Sequence, residues 1–187
     1  MKKFRRTSLI NLTLSAMLMA LALVLPFLTG QLQQLGSMLL PMHLPIMVCG
    51  LVCGWKYGLA VGLVTPILRS LLFSMPVLYP NAVSMAIELA TYGAVIGLVS
   101  DALLHLKSFK SHPLAVAYAS LVPAMLAGRV TWGMTQALLL GIKGASFTFK
   151  AFLSGAFLSA FPGIIIQLVI VPLIYTAVVR LAWKSKS

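Results

Sequence analysis

The chain has 187 residues, of which 60% are hydrophobic and 9% charged, with a mean hydropathy of +1.03. That composition excludes an ordinary soluble domain and describes a protein built for the lipid bilayer. A net charge of +12 does not make it a nucleic-acid binder, because its basic residues are not gathered on one soluble face.

A membrane-spanning helix takes about 20 mainly apolar residues. Runs of that kind, separated by Gly, Pro and charged breaks, predict an all-α integral membrane protein: a single domain over residues 1–187 with six transmembrane helices at 9–29, 41–55, 57–75, 80–104, 114–141 and 151–180. The N-terminal KKFRR followed by an apolar run imitates a secretory signal. No A-x-A cleavage site follows Leu28, however, so the run is read as the first helix. Ala16 and Ala20 form an A-x-x-x-A pair on it. The connection from Gly30 to Leu40, with Gln31, Gln33, Gln34 and Ser37, carries no charge and is long enough to act as a lid.

His43 begins the second helix between Pro41 and Pro45 and is expected as a surface or loop contact. Cys49 and Cys53 lie on one face of that helix, and their spacing suits two small buried residues better than a disulfide. The third helix follows across a tight turn at Trp55-Lys56-Tyr57. Gly50/Gly54, Gly58/Gly62 and Gly93/Gly97 form G-x-x-x-G pairs on the second, third and fourth helices, a spacing that lets backbones approach closely in lipid.

Asn81, Ser84, Glu88, Thr91 and Tyr92 recur along one stripe of the fourth helix, away from Gly93 and Gly97. The fifth helix repeats the arrangement with Arg129, Trp132 and Gln136. In the sixth, Gln167 follows a break at Phe161-Pro162-Gly163 and is a candidate to complete the same polar site.

Orientation follows from the basic residues. Lys2, Lys3, Arg5, Arg6, Lys56, Lys107, Lys110, Arg180, Lys184 and Lys186 fall on one side, and only Lys143 and Lys150 on the other. The positive-inside rule therefore predicts that both termini are cytoplasmic. At about 1.5 Å of rise per residue, Arg69 then lies about 9 Å, Glu88 about 12 Å and Arg129 about 18 Å below the outer ends of their helices. Each buried charge needs a partner or water, since an isolated one costs about 2.5–3.5 kcal/mol at the centre of a span.

Arg69 and Glu88 are at matching depths and suited to pair. Two arginines against one glutamate leave an outer cavity with surplus positive charge, which favours an anionic ligand gripped by a guanidinium. Arg129, aligned with Trp132 and Gln136, is the stronger candidate for that contact. Arg69 has an alternative structural role, reaching the outer headgroups or free carbonyls at a Pro66 kink.

The chain lacks a G-x-x-x-x-G-K-[ST] loop, so it has no such route to ATP hydrolysis. Acid/base or metal chemistry usually gathers several carboxylates or histidines, whereas this chain has Glu88, Asp101 and three scattered histidines. No catalytic residue, metal site or cofactor is therefore expected. A solitary ion-coupled carrier using Glu88 is the alternative to a subunit energised by partners.

The stretch LLPMHLPIMVCGLVCGWKYGLAVGLVTPILRSLLFSMP, followed by YPNAVSMAIELATYGAVIGL, AGRVTWG and FPGIIIQLVIVP, resembles the substrate-binding S components of energy-coupling factor vitamin transporters. Within that superfamily it is most similar to the pantothenate branch. The resemblance implies a six-helix bundle in the cell membrane of a prokaryote, with an outward pocket for a small vitamin. It also implies a transmembrane scaffold subunit carrying two ATPase subunits, with docking onto the scaffold through Ala16 and Ala20. A carboxylate ligand such as pantothenate answers the positive surplus. A neutral one, such as the hydroxymethyl pyrimidine precursor of thiamine or the α-ribazole precursor of cobalamin, requires Arg129 to have a protein partner.

Overall fold

The computed structural model describes residues 8–29, 38–106, 109 and 112–184, which are helical throughout their ordered elements and contain no strand. Among the described residues these α-helices follow one another: α1 Ser8–Val24, α2 His43–Cys53, α3 Trp55–Phe73, α4 Val83–His105, α5 Pro113–Ile142, α6 Phe149–Leu153 and α7 Phe161–Lys184. A 3-10 turn, Leu25–Thr29, ends α1, and wide turns at Leu78–Ala82 and Ser154–Leu158 precede α4 and follow α6. The first outer connection, residues 30–37, lies outside the described residues, so the expected lid is described only at its Met38–Leu40 end.

Among the described residues, five segments are long and apolar enough to cross a membrane: Ser8–Phe27, Trp55–Phe73, Leu78–His105, Pro113–Ile142 and Phe161–Leu181. The second predicted span, 41–55, is instead the eleven-residue α2. At about 16 Å this helix reaches only half-way through a hydrocarbon core of about 30 Å. Its shortness follows from its ends: Pro41 precedes it, and Gly54 stops it with φ 98°, a conformation other residues resist. The turn is thus the single residue Gly54, and Trp55, expected inside the turn, opens α3. The sixth predicted span, 151–180, is divided into α6, the Ser154–Leu158 turn and α7.

Although short, α2 is the centre of the bundle. Nine of its residues are buried, among them Ile46, Met47 and Cys49 at 0% exposure, because α1, α3, α4 and α7 all pack around it. Cys49 and Cys53 are both buried in this core and are not joined in a disulfide. By contrast α1 buries only Ser15 and Ala22 and turns Leu9, Leu12, Met17 and Leu21 outward together with Ala16 and Ala20.

The glycines explain how α2, α3 and α4 come so close. A Cβ on Gly93 would lie 2.2 Å from the Gly58 carbonyl oxygen, one on Gly58 2.8 Å from Gly50 Cα, and one on Gly62 2.3 Å from the Leu89 carbonyl oxygen. Gly97 meets the Trp55 backbone in the same way. These contacts run antiparallel along α3 and α4 and fix their register. Of the six paired glycines only Gly54 takes no part, having a turn to make and open space around it.

Gly93→Ala is expected to destabilise the folded protein by about 1–3 kcal/mol through forced separation of α3 and α4. Gly141→Ala, where an added Cβ meets nothing within 4 Å, serves as the control. Denaturation in detergent micelles measures both, and equal stability of the two variants would contradict a glycine-set register.

Candidate functional site

Besides its glycine seam with α3, α4 packs against α2 and α5, and where these three helices meet the chain buries Glu88 and Arg129 together. Glu88, 2% exposed, accepts a hydrogen bond from Arg129 Nη1 of α5 at 2.9 Å. His43, the first residue of α2 and 0% exposed, puts Nε2 3.6 Å from the same carboxylate oxygen, beyond hydrogen-bond length but within electrostatic reach. Tyr92, one turn below Glu88, packs edge-to-face on the His43 ring at 5.3 Å, and its ring lies where a Cβ on Gly128 would be, 2.8 Å away. Three helices thereby meet at one carboxylate.

Backbone geometry delivers His43 to this place. Leu40 holds a left-handed conformation, φ 51°, which a branched side chain adopts at a cost of about 1–3 kcal/mol. Its carbonyl accepts the His43 backbone N–H at 3.1 Å, so the chain turns sharply into α2. Gly163 at the start of α7 makes room for this turn, its Cβ position lying 2.6 Å from the Met38 carbonyl oxygen.

Several polar atoms of the cluster have no hydrogen-bond partner among the described residues although buried. These are both ring nitrogens of His43, the Tyr92 hydroxyl, and Nε and Nη2 of Arg129; further along α5 and on α7, Oε1 of Gln136 and the whole amide of Gln167 are buried and unpaired as well. A buried unpaired polar group costs about 1–3 kcal/mol, so the cluster holds hydrogen-bonding capacity that the described residues leave unused. Nε and Nη2 of Arg129 form the guanidinium edge that receives a planar acceptor with two parallel bonds.

The expected residues divide between this cluster and other roles. Glu88, Tyr92 and Arg129 come together directly, and Gln136 and Gln167 are buried at 9% and 0% exposure on α5 and α7. Arg69 is not with them, and the expected pairing with Glu88 is not formed. Its Nη1 donates to the Leu23 carbonyl, and its guanidinium lies over Phe27 and Phe73 at 5.1 and 5.4 Å. The reason is local: α1 ends at Val24, leaving carbonyls that a cation can cap. The expected surplus of positive charge is therefore not at this cluster, and the partner of Glu88 is Arg129.

Trp132 is half-buried and belongs to an aromatic group, stacked on Phe152 at 6.4 Å and edge-on to Phe147 at 6.0 Å, with Gly155 beneath its ring. Asn81 sits in the turn before α4, half-buried, where its carbonyl accepts the Ser84 hydroxyl at 3.0 Å. Thr91 bonds Thr131 across the α4–α5 interface at 3.3 Å. His43 is the residue missed: expected at the surface, it is fully buried. The signal was present as a polar residue within PMHLP, but reading α2 as a full span put its start at the membrane surface rather than inside the bundle.

A search of curated proteins and a search of solved structures each returned no match. The model of a family described as the substrate-specific component of the ECF transporter matches residues 11–175. That stretch runs from within α1 to within α7 and takes in the whole polar cluster, so the chain belongs to the ECF transporter substrate-specific component family, a family of transport subunits rather than enzymes.

Proposed function

We propose that the chain is the high-affinity binding subunit of an ATP-driven importer for a small water-soluble vitamin or precursor, and that its ligand docks on the Glu88–Arg129 cluster. The observation that carries this reading is the buried, unpartnered Nε–Nη2 edge of Arg129 in the cluster with Tyr92, to which Gln136 on the same helix and Gln167 on α7 add further buried, unpaired amide atoms. A carboxylate fits that edge with two charge-assisted bonds. Hydroxyl and amide groups elsewhere on the ligand answer the phenol and the two carboxamides. Pantothenate, which carries all three kinds of group, is the ligand we infer, with Trp132 and Asn81 bordering the site and Arg69 supporting it from α1 and α3.

A second reading is favoured by one specific observation. Arg129 already has a protein partner in Glu88, which is the condition a neutral ligand such as hydroxymethyl pyrimidine or α-ribazole requires. Titration of the purified protein with pantothenate and with these two precursors separates the readings, and the anionic one predicts tight binding of pantothenate alone.

Membership in the family supports the remaining parts of the proposal. The chain binds no cofactor of its own and catalyses no reaction, while a transmembrane scaffold and two ATPase subunits supply the energy. Both termini face the cytoplasm of a prokaryote, with α2 completing a sixth, partial crossing beside the five long segments. Ala16 and Ala20, exposed on α1, form the surface that meets the scaffold, where small side chains permit close approach.

Two outcomes test these assignments. Removing Arg129 alone strands a buried carboxylate at a cost of about 3–5 kcal/mol, so the informative variant is the neutral pair Glu88→Gln with Arg129→Gln. It is expected to fold and to bind ligand more weakly by about 1.5–3 kcal/mol, the worth of a hydrogen bond to a charged group; undiminished affinity in calorimetry contradicts the assigned site. Ala16→Trp and Ala20→Trp are expected to bind ligand normally but to abolish uptake in cells expressing the ATPase partners. Normal uptake would place the docking surface elsewhere.

A further inference from the structure

Glu88 is shared between two basic side chains. The same Oε1 that accepts from Arg129 Nη1 at 2.9 Å stands 3.6 Å from His43 Nε2, and the three side chains are between 0% and 6% exposed. Among the described residues, the elements packed around the pair bring few other ionisable groups to it. On α4 there is Tyr92, in ring contact with His43. Cys49 and Cys53 lie further along α2, and α1 has no ionisable side chain between Ser8 and Val24. On α3, Arg69 is turned to Leu23, and Lys56 and Tyr57 are at the far end. Arg129 is the group α5 contributes, and α7 presents the uncharged Gln167, its Tyr175 lying towards Asp101.

With a neutral imidazole the cluster carries no net charge, the condition under which ionised groups persist in a low-dielectric interior. An anion seated on the free edge of Arg129 changes that sum to minus one. His43 is the group placed to correct it: an imidazolium 3.6 Å from Glu88 needs only a small approach to donate a charge-assisted hydrogen bond to the carboxylate.

We propose that binding of an anionic ligand at Arg129 is coupled to the uptake of one proton from solvent by His43, so that ligand and proton enter the site together. This rests on the anionic reading of the site given above. The one chemical step is proton transfer: the bond to hydrogen in the solvent or buffer acid breaks, its conjugate base stays in solvent, and an N–H bond forms on the imidazole, which directs it at the carboxylate. Because the occupied state holds one more proton, affinity rises as pH falls. Above the ordinary imidazole range near pH ~6.5, the dissociation constant increases up to about tenfold per pH unit.

The test is calorimetric titration of the detergent-solubilised chain at about pH 8 in buffers of different ionisation enthalpy. The probes are pantothenate and its alcohol analogue, in which a hydroxymethyl group replaces the carboxylate. The expected result is a buffer-dependent enthalpy corresponding to nearly one proton taken up per pantothenate and none for the alcohol. His43→Gln is expected to bind pantothenate without proton uptake, and so is Glu88→Gln, where the anion balances Arg129 directly. A pantothenate enthalpy that is identical in every buffer overturns the coupling, and uptake that persists in His43→Gln overturns its assignment to that residue. Binding of the alcohol but not of pantothenate overturns the anionic reading itself, and with it the basis of the proposal.

Discussion

Lipid does not solvate a carboxylate, and the buried part of this structure is arranged around that constraint. Glu88 must be answered from inside the chain, and the answer comes from α5 through Arg129 and from α2 through His43. Each partner imposes a demand on the helix that carries it. Arg129 requires α5 to lie against the polar side of α4, with Gly128 admitting the Tyr92 ring between them. His43 requires α2 to begin beside Glu88, inside the bundle, which an eleven-residue helix bounded by Leu40 at positive φ and by Gly54 achieves.

The two sides of α4 have contrasting chemistry. Towards α3 the contact is backbone against backbone, with Gly58, Gly62, Gly93 and Gly97 removing every side chain that would intervene. Towards α2 and α5 it is polar and incompletely satisfied, with the unpaired atoms of His43, Tyr92 and Arg129. A rigid seam behind the site holds Glu88 still while the front remains short of hydrogen bonds. Such preorganisation lets a ligand find its partners in place, so little binding energy is lost to rearrangement.

Much of this was legible in the sequence, for physical reasons that differ from residue to residue. Hydropathy marked the long helices, because lipid leaves the backbone few alternatives, and the G-x-x-x-G spacings on α3 and α4 marked their mutual contact. Glu88 and Arg129 stood out because charge in an apolar run is costly. Their pairing was not legible: depth along a helix says nothing of which helices are neighbours, and equal depth pointed to Arg69, which instead caps the end of α1 and stacks on Phe27 and Phe73. His43 was hidden for a related reason. Apolar length alone does not distinguish a full span from a half-span, and only the short α2 puts its first residue beside the carboxylate. The aromatic group of Trp132, Phe147 and Phe152 joins residues from α5, the following connection and α6, beyond the reach of any single-helix pattern.

Membership in a family of substrate-specific transport components gives this cluster a meaning that composition alone does not supply. Specificity within a shared scaffold resides in a few side chains, and we propose that here those are the side chains around Glu88 and Arg129 whose polar atoms lack partners. The central claim is that this place receives a small carboxylic acid. Mass spectrometry of the small molecule that co-purifies with the chain tests it most directly: the account predicts a water-soluble vitamin bearing a carboxylate, and recovery of a neutral heterocycle in its place would contradict it.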